Sequence, residues 1–335
     1  MGKRKENEKL NPPYRIKRPK LLIRKAPPIN SLEDLIELGK SIHFYSNIDS
    51  IMLWKICPHL EELNEMVGMK SLKETIFYQI VYYMQNMHSR NKNADYLNTI
   101  ITGPPGCGKT SVSKILGKIY KSLGIIKGKG GFKVGYRNDF VAGYLGQTAN
   151  KTNKFLKSCL GGVLFIDEVY ALGPGQDDRD SFSKEALDTL TSFLSEHVSD
   201  FCCIAAGYEK DIRKCFFRVN KGLESRFPWV HKIEPYDKDD LAEIYIRKVK
   251  NINWECAVEK EKLGNFIHEN IHLFENTGRD IETFVSKCKI VHAKRIINLD
   301  PSHKFIITED DLKNALKFYP PRDIEKNDIP EHMYT

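Results

Sequence analysis

The chain has 335 residues, of which 41% are hydrophobic, so it can bury at least one full core, and its length predicts two or three domains. No segment approaches the roughly 18 consecutive apolar residues that span a membrane, and no apolar segment follows the basic N-terminus as in a secretory signal. We therefore expect a soluble cytoplasmic protein without a membrane partner. The eight cysteines show no CxxC spacing and are expected to be reduced thiols, without a zinc site.

The formal net charge of +8 comes entirely from the N-terminus. Residues 1–25 carry ten basic and two acidic side chains, whereas the rest of the chain carries 42 of each. A basic, proline-containing segment with few aliphatic residues cannot bury enough surface to offset its ordering entropy, which predicts a disordered arm over residues 1–29. A solvated arm without a partner, an arm that binds nucleic acid and a nuclear import signal are alternative interpretations.

A helical lead-in is predicted over residues 30–59, ahead of the main domain. Asn30 or Ser31 offers an N-cap before an amphipathic pattern that begins at Leu32, with acidic residues in the first turn. A longer helical pattern follows from about residue 60 to residue 88 and is interrupted at Val67 and Gly68.

Short apolar runs then alternate with helical segments. The runs cover residues 97–102, 132–134, 163–166 and 201–206. This alternation predicts an α/β domain over residues 60–236, with a doubly wound parallel sheet covered by helices on both faces. From residue 238 to about 318 the apolar spacing becomes helical, which predicts a small helical domain over residues 237–319. The segment 320–335 is expected to be a polar tail.

One glycine-rich segment follows the first predicted strand and precedes a helix. It fits the pattern GxxxxGK followed by Ser or Thr, and its glycines let backbone N–H groups close around phosphate oxygens at a helix N-terminus. Lys109 can reach the β- and γ-phosphates of ATP, and the Thr110 hydroxyl can bind Mg²⁺. The predicted nucleotide-binding residues here are Gly103, Pro104, Pro105, Gly106, Cys107, Gly108, Lys109, Thr110 and Ser111.

A second motif ends the third apolar run, where residues 163–166 lead directly into Asp167 and Glu168. Asp167 is expected to hold Mg²⁺, directly or through water, and Glu168 to polarise the attacking water as a general base. An acidic pair at a strand end also caps a following helix in many proteins, but its combination with the phosphate-binding loop favours catalysis. The presence of Glu168 argues against a nucleotide switch that binds without hydrolysing.

With these two motifs the chain resembles the AAA+ ATPases, and further segments resemble their CbxX/CfxQ (CbbX-like) branch over about residues 60–300. The segments that carry this resemblance are residues 143–149, Lys151-Thr152, residues 161–168, Ala206-Gly207-Tyr208, Phe216-Phe217, Asn220, Gly222 and Ser225-Arg226.

The resemblance implies a P-loop fold with a helical lid, hydrolysis of ATP with Mg²⁺, and a ring of subunits, expected to be a hexamer. Val67 and Gly68 match the element that packs near the adenine. Tyr208 falls at the sensor 1 position, although it could be a structural aromatic. Arg226 matches the arginine finger that reaches a neighbouring subunit's γ-phosphate, and Arg279 resembles the sensor 2 arginine, with a structural salt bridge as the alternative.

The resemblance also implies a type of substrate. In hexameric relatives an aromatic residue between small residues lines the central pore and grips an extended polypeptide, and Tyr144 between Gly143 and Gly146 resembles it. The expected function is remodelling of a protein client; the family's best-known clients are Rubisco complexes, and no motif here identifies the client. The alternatives are a buried loop tyrosine, a nucleic-acid-directed machine such as a helicase or loader that uses the basic arm, and an assembly scaffold with negligible turnover.

One competing motif is the segment from His268 to His272, which satisfies HExxH. On a helix its two histidines would lie one turn apart, as a catalytic zinc site requires, and His292 is a conceivable third ligand. The segment lies in the predicted lid and lacks the usual downstream carboxylate between Glu282 and Asp300. Two helix histidines without a metal are the ordinary explanation.

Overall fold

The computed structural model describes residues 25–41, 43–85, 87, 95–144, 146–174 and 180–319. The polar tail and all but the last residues of the predicted basic arm lie outside these ranges. Within them, no helix combines the length and the apolar character that crossing a membrane requires. All eight cysteines are described and carry free thiols.

Three helices precede the sheet: α1 Leu32–Lys40, α2 Ser50–Asn64 and α3 Lys70–Met84. Ser31 caps α1, because its hydroxyl accepts from the Asp34 N–H while the Asp34 carboxylate accepts from the Ser31 N–H. The interruption predicted at Val67 and Gly68 lies between α2 and α3. The proposed boundary between residues 59 and 60 is wrong as a division between elements, because α2 runs across it.

Five parallel strands form the central sheet in the order β2-β3-β4-β1-β5, with β1 Thr99–Thr102, β2 Phe132–Gly135, β3 Val163–Ile166, β4 Cys202–Gly207 and β5 Trp229–Lys232. The first four correspond to the predicted apolar runs. The edge strand β5 was missed, because its exposed Val230 and Lys232 alternate with the buried His231 and half-buried Trp229. That pattern lacks the continuous apolar run of a buried parallel strand.

Helices cover both faces of the sheet: α4 Lys109–Ser122, α5 Arg137–Phe140, α6 Thr148–Lys157, α7 Ser181–Glu196, α8 Glu209–Asp211 and α9 Lys221–Glu224. Neighbouring strand residues point to opposite faces, so Ile101 and Ala206 join a core with α2, α3 and α4. Ile100 and Ala205 join a second core with α6 and α7. The doubly wound α/β fold is therefore confirmed.

The remaining elements build a separate helical lid from α10 Lys238–Asn251, α11 Lys260–Glu269, α12 Gly278–Arg295 and α13 Glu309–Ala315, with a two-stranded sheet of β6 Glu255–Cys256 and β7 Ile306–Ile307. Its apolar core contains Tyr245 and Phe284. A buried polar network adds to this core: the Asp311 carboxylate lies 3.0 Å from Nδ1 of His292 and accepts from Nε of Arg295 at 2.8 Å. The small lid predicted from helical spacing is thus present.

Candidate active site

A polar cleft of about 480 Å³ opens where the carboxyl ends of β1, β3 and β4 meet the N-terminus of α4 and the lid. This is the edge at which parallel α/β sheets bind ligands. Its lining includes predicted site residues from five separate parts of the chain: Val67, residues 105–111, Asp167-Glu168, Tyr208 and Arg279.

The glycine-rich loop forms the floor of the cleft. Gly106 and Gly108 have φ angles of +70° and +86°, and α4 begins directly after them at Lys109. The Lys109 ammonium donates to the carbonyl oxygens of Gly103 and Pro104 at 3.0 and 2.8 Å, so these two residues hold the lysine beside the cleft. Cys107 is buried, and burial raises the pKa of its thiol, so the thiol stays protonated inside the loop.

The predicted magnesium ligands are neighbours in space although 57 residues separate them in the chain. The Thr110 hydroxyl donates to the Asp167 carboxylate at 3.1 Å. A hydroxyl and a carboxylate at this distance, beside a phosphate-binding loop, fit the hard oxygen ligands that Mg²⁺ prefers, and the cation's remaining positions suit phosphate and water.

Glu168 is exposed to the cleft and has an unusual backbone. Its φ and ψ angles are both 49°, in the left-handed region that non-glycine residues seldom adopt. The Glu168 N–H donates to Asp167 at 3.0 Å, and the Ala171 N–H donates to the Glu168 carbonyl at 2.8 Å. This turn separates the two carboxylates, so that Asp167 faces Thr110 while Glu168 remains free of that pair.

Tyr208 follows β4 and stacks against Tyr170, with ring centroids 5.8 Å apart and planes 21° apart. The Lys109 ammonium lies 5.2 Å from the centre of the Tyr208 ring. Burial, and then the negative charge of Glu168, raise the pKa of Tyr170 to about 12. Tyr170 therefore stays a neutral phenol beside the Glu168 carboxylate. Sequence reasoning missed it; its position two residues after Glu168 was the available signal.

The lid closes the cleft on the opposite side. The Thr277 hydroxyl donates to the Pro105 carbonyl at 2.9 Å, and the Asn276 carbonyl oxygen lies directly against Gly106. Arg279, in the first turn of α12, is exposed and lines the cleft. The contact between loop and lid is thus made by the Thr277 hydroxyl and by backbone atoms, and the Arg279 side chain takes no part in it.

The end of the cleft where Val67 and Gly68 are expected to lie near the adenine differs in part from that expectation. Val67 lines it together with Tyr236 and Ile244, two lid-side residues that the sequence analysis did not identify. Gly68 is not part of the lining. With φ at +66°, it packs beside the Tyr236 ring and the Asp240 carboxylate, so its visible role is in the turn before α3.

Arg226 and Tyr144, which are expected to act between subunits, also lie outside the cleft of their own chain. Arg226 donates through Nε to the Ser195 hydroxyl at 2.6 Å and through Nη1 to the Gly222 carbonyl. Tyr144 is 75% exposed in the loop between α5 and α6, and a Cβ added at Gly143 or Gly146 would meet no atom within 4 Å. The buried-tyrosine alternative is therefore wrong.

The geometry does not support a zinc site at the HExxH segment. Helix α11 ends at Glu269, and His272 belongs to the short helix Ile271–Leu273, so the two histidines are not one turn apart on one helix. His292 is buried against Asp311 instead of facing them. In the described part of the chain, no cluster of three or more histidine, cysteine, aspartate or glutamate residues is placed to hold a metal.

Comparison with known proteins agrees with this site. Residues 99–227 match the model of the ATPase family associated with various cellular activities (AAA). A putative CfxQ-like protein of Acanthamoeba polyphaga mimivirus is 38% identical over 81% of this chain and 68% of its own length. The chloroplastic ribulose bisphosphate carboxylase/oxygenase activase of Cyanidioschyzon merolae is 28% identical over 76% of this chain and 84% of its own length.

Among solved structures, the FIGL-1 AAA domain in complex with ADP superposes with a TM-score of 0.55 and 13% identity, over 78% of this chain and 85% of that one. This likeness concerns the fold alone. The fold and the assembled cleft thus define an AAA ATPase. Within that class, the chain belongs to the CfxQ-like family.

Proposed function

We propose that this ATPase forms a ring, expected to be a hexamer, and uses Mg²⁺-dependent ATP hydrolysis to remodel a protein client. The proposal includes a cytoplasmic location. The observation that carries it is Tyr144, a large aromatic side chain left 75% exposed in a loop with open space around both flanking glycines. A pore that grips an extended polypeptide needs an exposed aromatic side chain of this kind.

Each residue of the cleft has a separate role in ATP hydrolysis. Lys109 and the loop amides bind the phosphates, and Thr110 with Asp167 holds the magnesium ion, which neutralises phosphate charge. Glu168 accepts a proton from the attacking water. Arg279 contacts the γ-phosphate from the lid of the same chain, and Tyr208 positions Lys109 in the sensor 1 place.

Arg226 supplies the argument for a ring. It is held by Ser195 and Gly222, away from the cleft of its own chain, yet a positive charge at the γ-phosphate is what stabilises phosphoryl transfer. A heterologous contact between identical subunits would bring the Arg226 of one chain to the cleft of the next, and repetition of that contact closes a ring.

The experiment compares two classes of substrate in one ATPase assay. An unfolded polypeptide such as denatured casein should stimulate the wild-type ATPase over its basal rate, and Tyr144→Ala should lose this stimulation. Tyr78→Ala is the matched control, because Tyr78 is 62% exposed on α3, where no pore is proposed. Equal stimulation of all three proteins would refute the assignment of Tyr144.

The second candidate is a nucleic-acid-directed ATPase, favoured only by the basic arm. In that case DNA or RNA should stimulate the full-length enzyme, salt should weaken the effect steeply through counterion release, and deletion of residues 1–25 should abolish it. Deletion removes the whole net charge of +8 and leaves every cleft residue in place. Strong arm-dependent stimulation by nucleic acid, with no response to polypeptide, would replace the first proposal by the second.

A further inference from the structure

Arg137, the first residue of α5, connects three elements that are distant in sequence. Its Nη1 donates to the Ala171 carbonyl at 2.6 Å and to the Ser183 hydroxyl at 2.9 Å, and its Nη2 donates to the Asp180 carboxylate at 2.7 Å. Neither the nucleotide motifs nor the expected functional residues include this arginine.

The first contact reaches the catalytic turn. Ala171 lies in the short helix Val169–Leu172, which begins directly after Glu168, and its N–H donates to the Glu168 carbonyl. Two hydrogen bonds in series therefore join Arg137 to the backbone of the proposed general base. A left-handed glutamate persists only where the surrounding structure holds it, and Arg137 closes the end of the turn that does so.

The other contacts fix Arg137 to a rigid element. Asp180 caps α7, because its carboxylate accepts from the Ser183 N–H at 3.1 Å and from the Ser183 hydroxyl at 2.7 Å. Burial alone would raise the pKa of Asp180, but hydrogen bonds from Ser183 and Arg137 outweigh it and the pKa is lowered. The carboxylate is thus held in its charged form as the partner of Arg137.

The backbone of Arg137 leads in the opposite direction, towards Tyr144. Its carbonyl accepts from the Val141 N–H at 2.9 Å, which closes α5. The Thr152 hydroxyl then donates to the Phe140 carbonyl at 2.9 Å, which fixes the start of the Tyr144 loop against α6. Any displacement of the catalytic turn that moves the Ala171 carbonyl would therefore act on the helix from which this loop departs.

We propose that Arg137 is a positioning residue that holds the Glu168 turn in its hydrolytic geometry and links movements of that turn to the Tyr144 loop. The link to the Tyr144 loop rests on the proposed function. A guanidinium suits this role because its planar fork bonds several acceptors at fixed angles, whereas a lysine ammonium cannot reproduce that arrangement.

The first test is steady-state ATPase kinetics of Arg137→Ala and Arg137→Lys. We expect kcat to fall by about 10- to 100-fold, as for small misplacements of catalytic groups, and KM and the affinity for a fluorescent ADP analogue to change little, because Arg137 touches neither the glycine-rich loop nor the lid. Arg213→Ala is the matched control: Arg213 is an exposed arginine whose ion pairs with Glu209 and Glu224 lie on the surface.

The variant Asp180→Asn distinguishes loss of the positioning role from a simple folding defect. Asparagine remains a good N-cap for α7, so the helix is preserved while the charge that holds Arg137 is removed. A smaller loss of kcat with unchanged nucleotide affinity is expected. Wild-type kcat in both Arg137 variants, or a loss explained entirely by weaker nucleotide binding, would overturn the positioning role.

The link to the loop is measured by hydrogen exchange of peptides covering residues 138–147, with a slowly hydrolysed ATP analogue and with ADP. The wild type should show a difference between the two nucleotides that Arg137→Lys loses and Arg213→Ala retains. A difference that persists in Arg137→Lys, or is absent from the wild type, would overturn the link. Neither readout needs a client, so failure here is distinguishable from failure of the remodelling proposal.

Discussion

Replacing Gly106 by alanine should separate the glycine-rich loop from the lid. Gly106 has a φ of +70°, and a Cβ built on it would overlap the carbonyl oxygen of Asn276 and lie 3.0 Å from that residue's carbonyl carbon. It would also lie 3.2 Å from the backbone nitrogen of Arg279. These are backbone atoms, which cannot rotate away as a side chain does, so the turn that begins α12 must move.

The chain provides a matched control for the backbone strain. Gly124, after α4, has the same φ of +70°, but a Cβ there would meet no atom within 4 Å. Each alanine variant should therefore lose about 1–2 kcal/mol of unfolding free energy from the left-handed conformation. Only Gly106→Ala also displaces the lid, and a misplacement of about 1 Å near a reacting centre can cost about 100-fold in rate.

Urea unfolding and ATPase kinetics test the two parts separately. Gly124→Ala should lose stability and keep kcat/KM near the wild-type value. Gly106→Ala should lose at least as much stability, and its kcat/KM should fall by about 10- to 100-fold because Arg279 no longer meets the γ-phosphate in the right place. Equal kcat/KM in the two variants would refute the reasoning that the loop–lid contact sets the geometry of the site.

Three further predictions concern the cleft, the ring and the core. Lys109→Ala should abolish nucleotide binding, whereas Glu168→Gln should bind ATP and lose about 10²–10⁴-fold in hydrolysis, measured by nucleotide affinity and turnover; unchanged turnover would remove Glu168 from the mechanism. Mixing Arg226→Ala with Lys109→Ala subunits should partly restore ATPase activity, and no recovery in confirmed mixed rings would contradict a finger acting between chains. Burial lowers the pKa of His231 to about 4, so the unfolded state binds the proton first as the pH falls. The unfolding free energy of the wild type, measured with urea, should therefore fall by about 3 kcal/mol relative to that of His231→Gln between about pH 6.5 and 4. Unfolding free energies that change equally with pH in the two proteins would contradict this, and His268→Gln, at an exposed site, is the control.

The parts of the fold that the sequence predicts are those with a local cause. Strands β1, β3 and β4 are buried on both faces, so they appear as short continuous apolar runs. Strand β2 lies at an edge of the sheet, and its half-buried Phe132 and Val134 mark it in the sequence. The phosphate-binding loop is equally local, since positive φ at Gly106 and Gly108 requires glycine and the helix follows at once. The acidic pair Asp167 and Glu168 is predictable for a similar reason, because it follows strand β3 directly in the chain.

The parts that sequence reasoning missed depend on contacts between distant segments. Strand β5 is recognisable only by its pairing with β1, because one of its faces is exposed. Tyr170 is recognisable only by its stacking on Tyr208, which lies in another part of the chain. Arg137 is recognisable only by its hydrogen bonds to Ala171 and Asp180. No spacing rule links such residues in a single sequence. Conversely, the HExxH segment has the spacing of a zinc site in the sequence, but it does not form one because α11 ends between its two histidines.

The placement of Arg226 and Arg279 explains how one site can depend on two kinds of movement. Arg279 belongs to the lid, whose contacts with the loop include the Thr277 hydroxyl and backbone atoms at Asn276, so rotation of the lid would carry the arginine with it. Arg226 belongs to the sheet domain and is already fixed by Ser195 at 2.6 Å, so in the proposed ring it would lose little side-chain freedom on contact with a neighbour's cleft. Its arrival would therefore report the relative position of two rigid subunits. An ATPase arranged in this way would complete its site only when both the lid and the adjacent subunit are in place, which is the condition for coupling hydrolysis to movement around a ring.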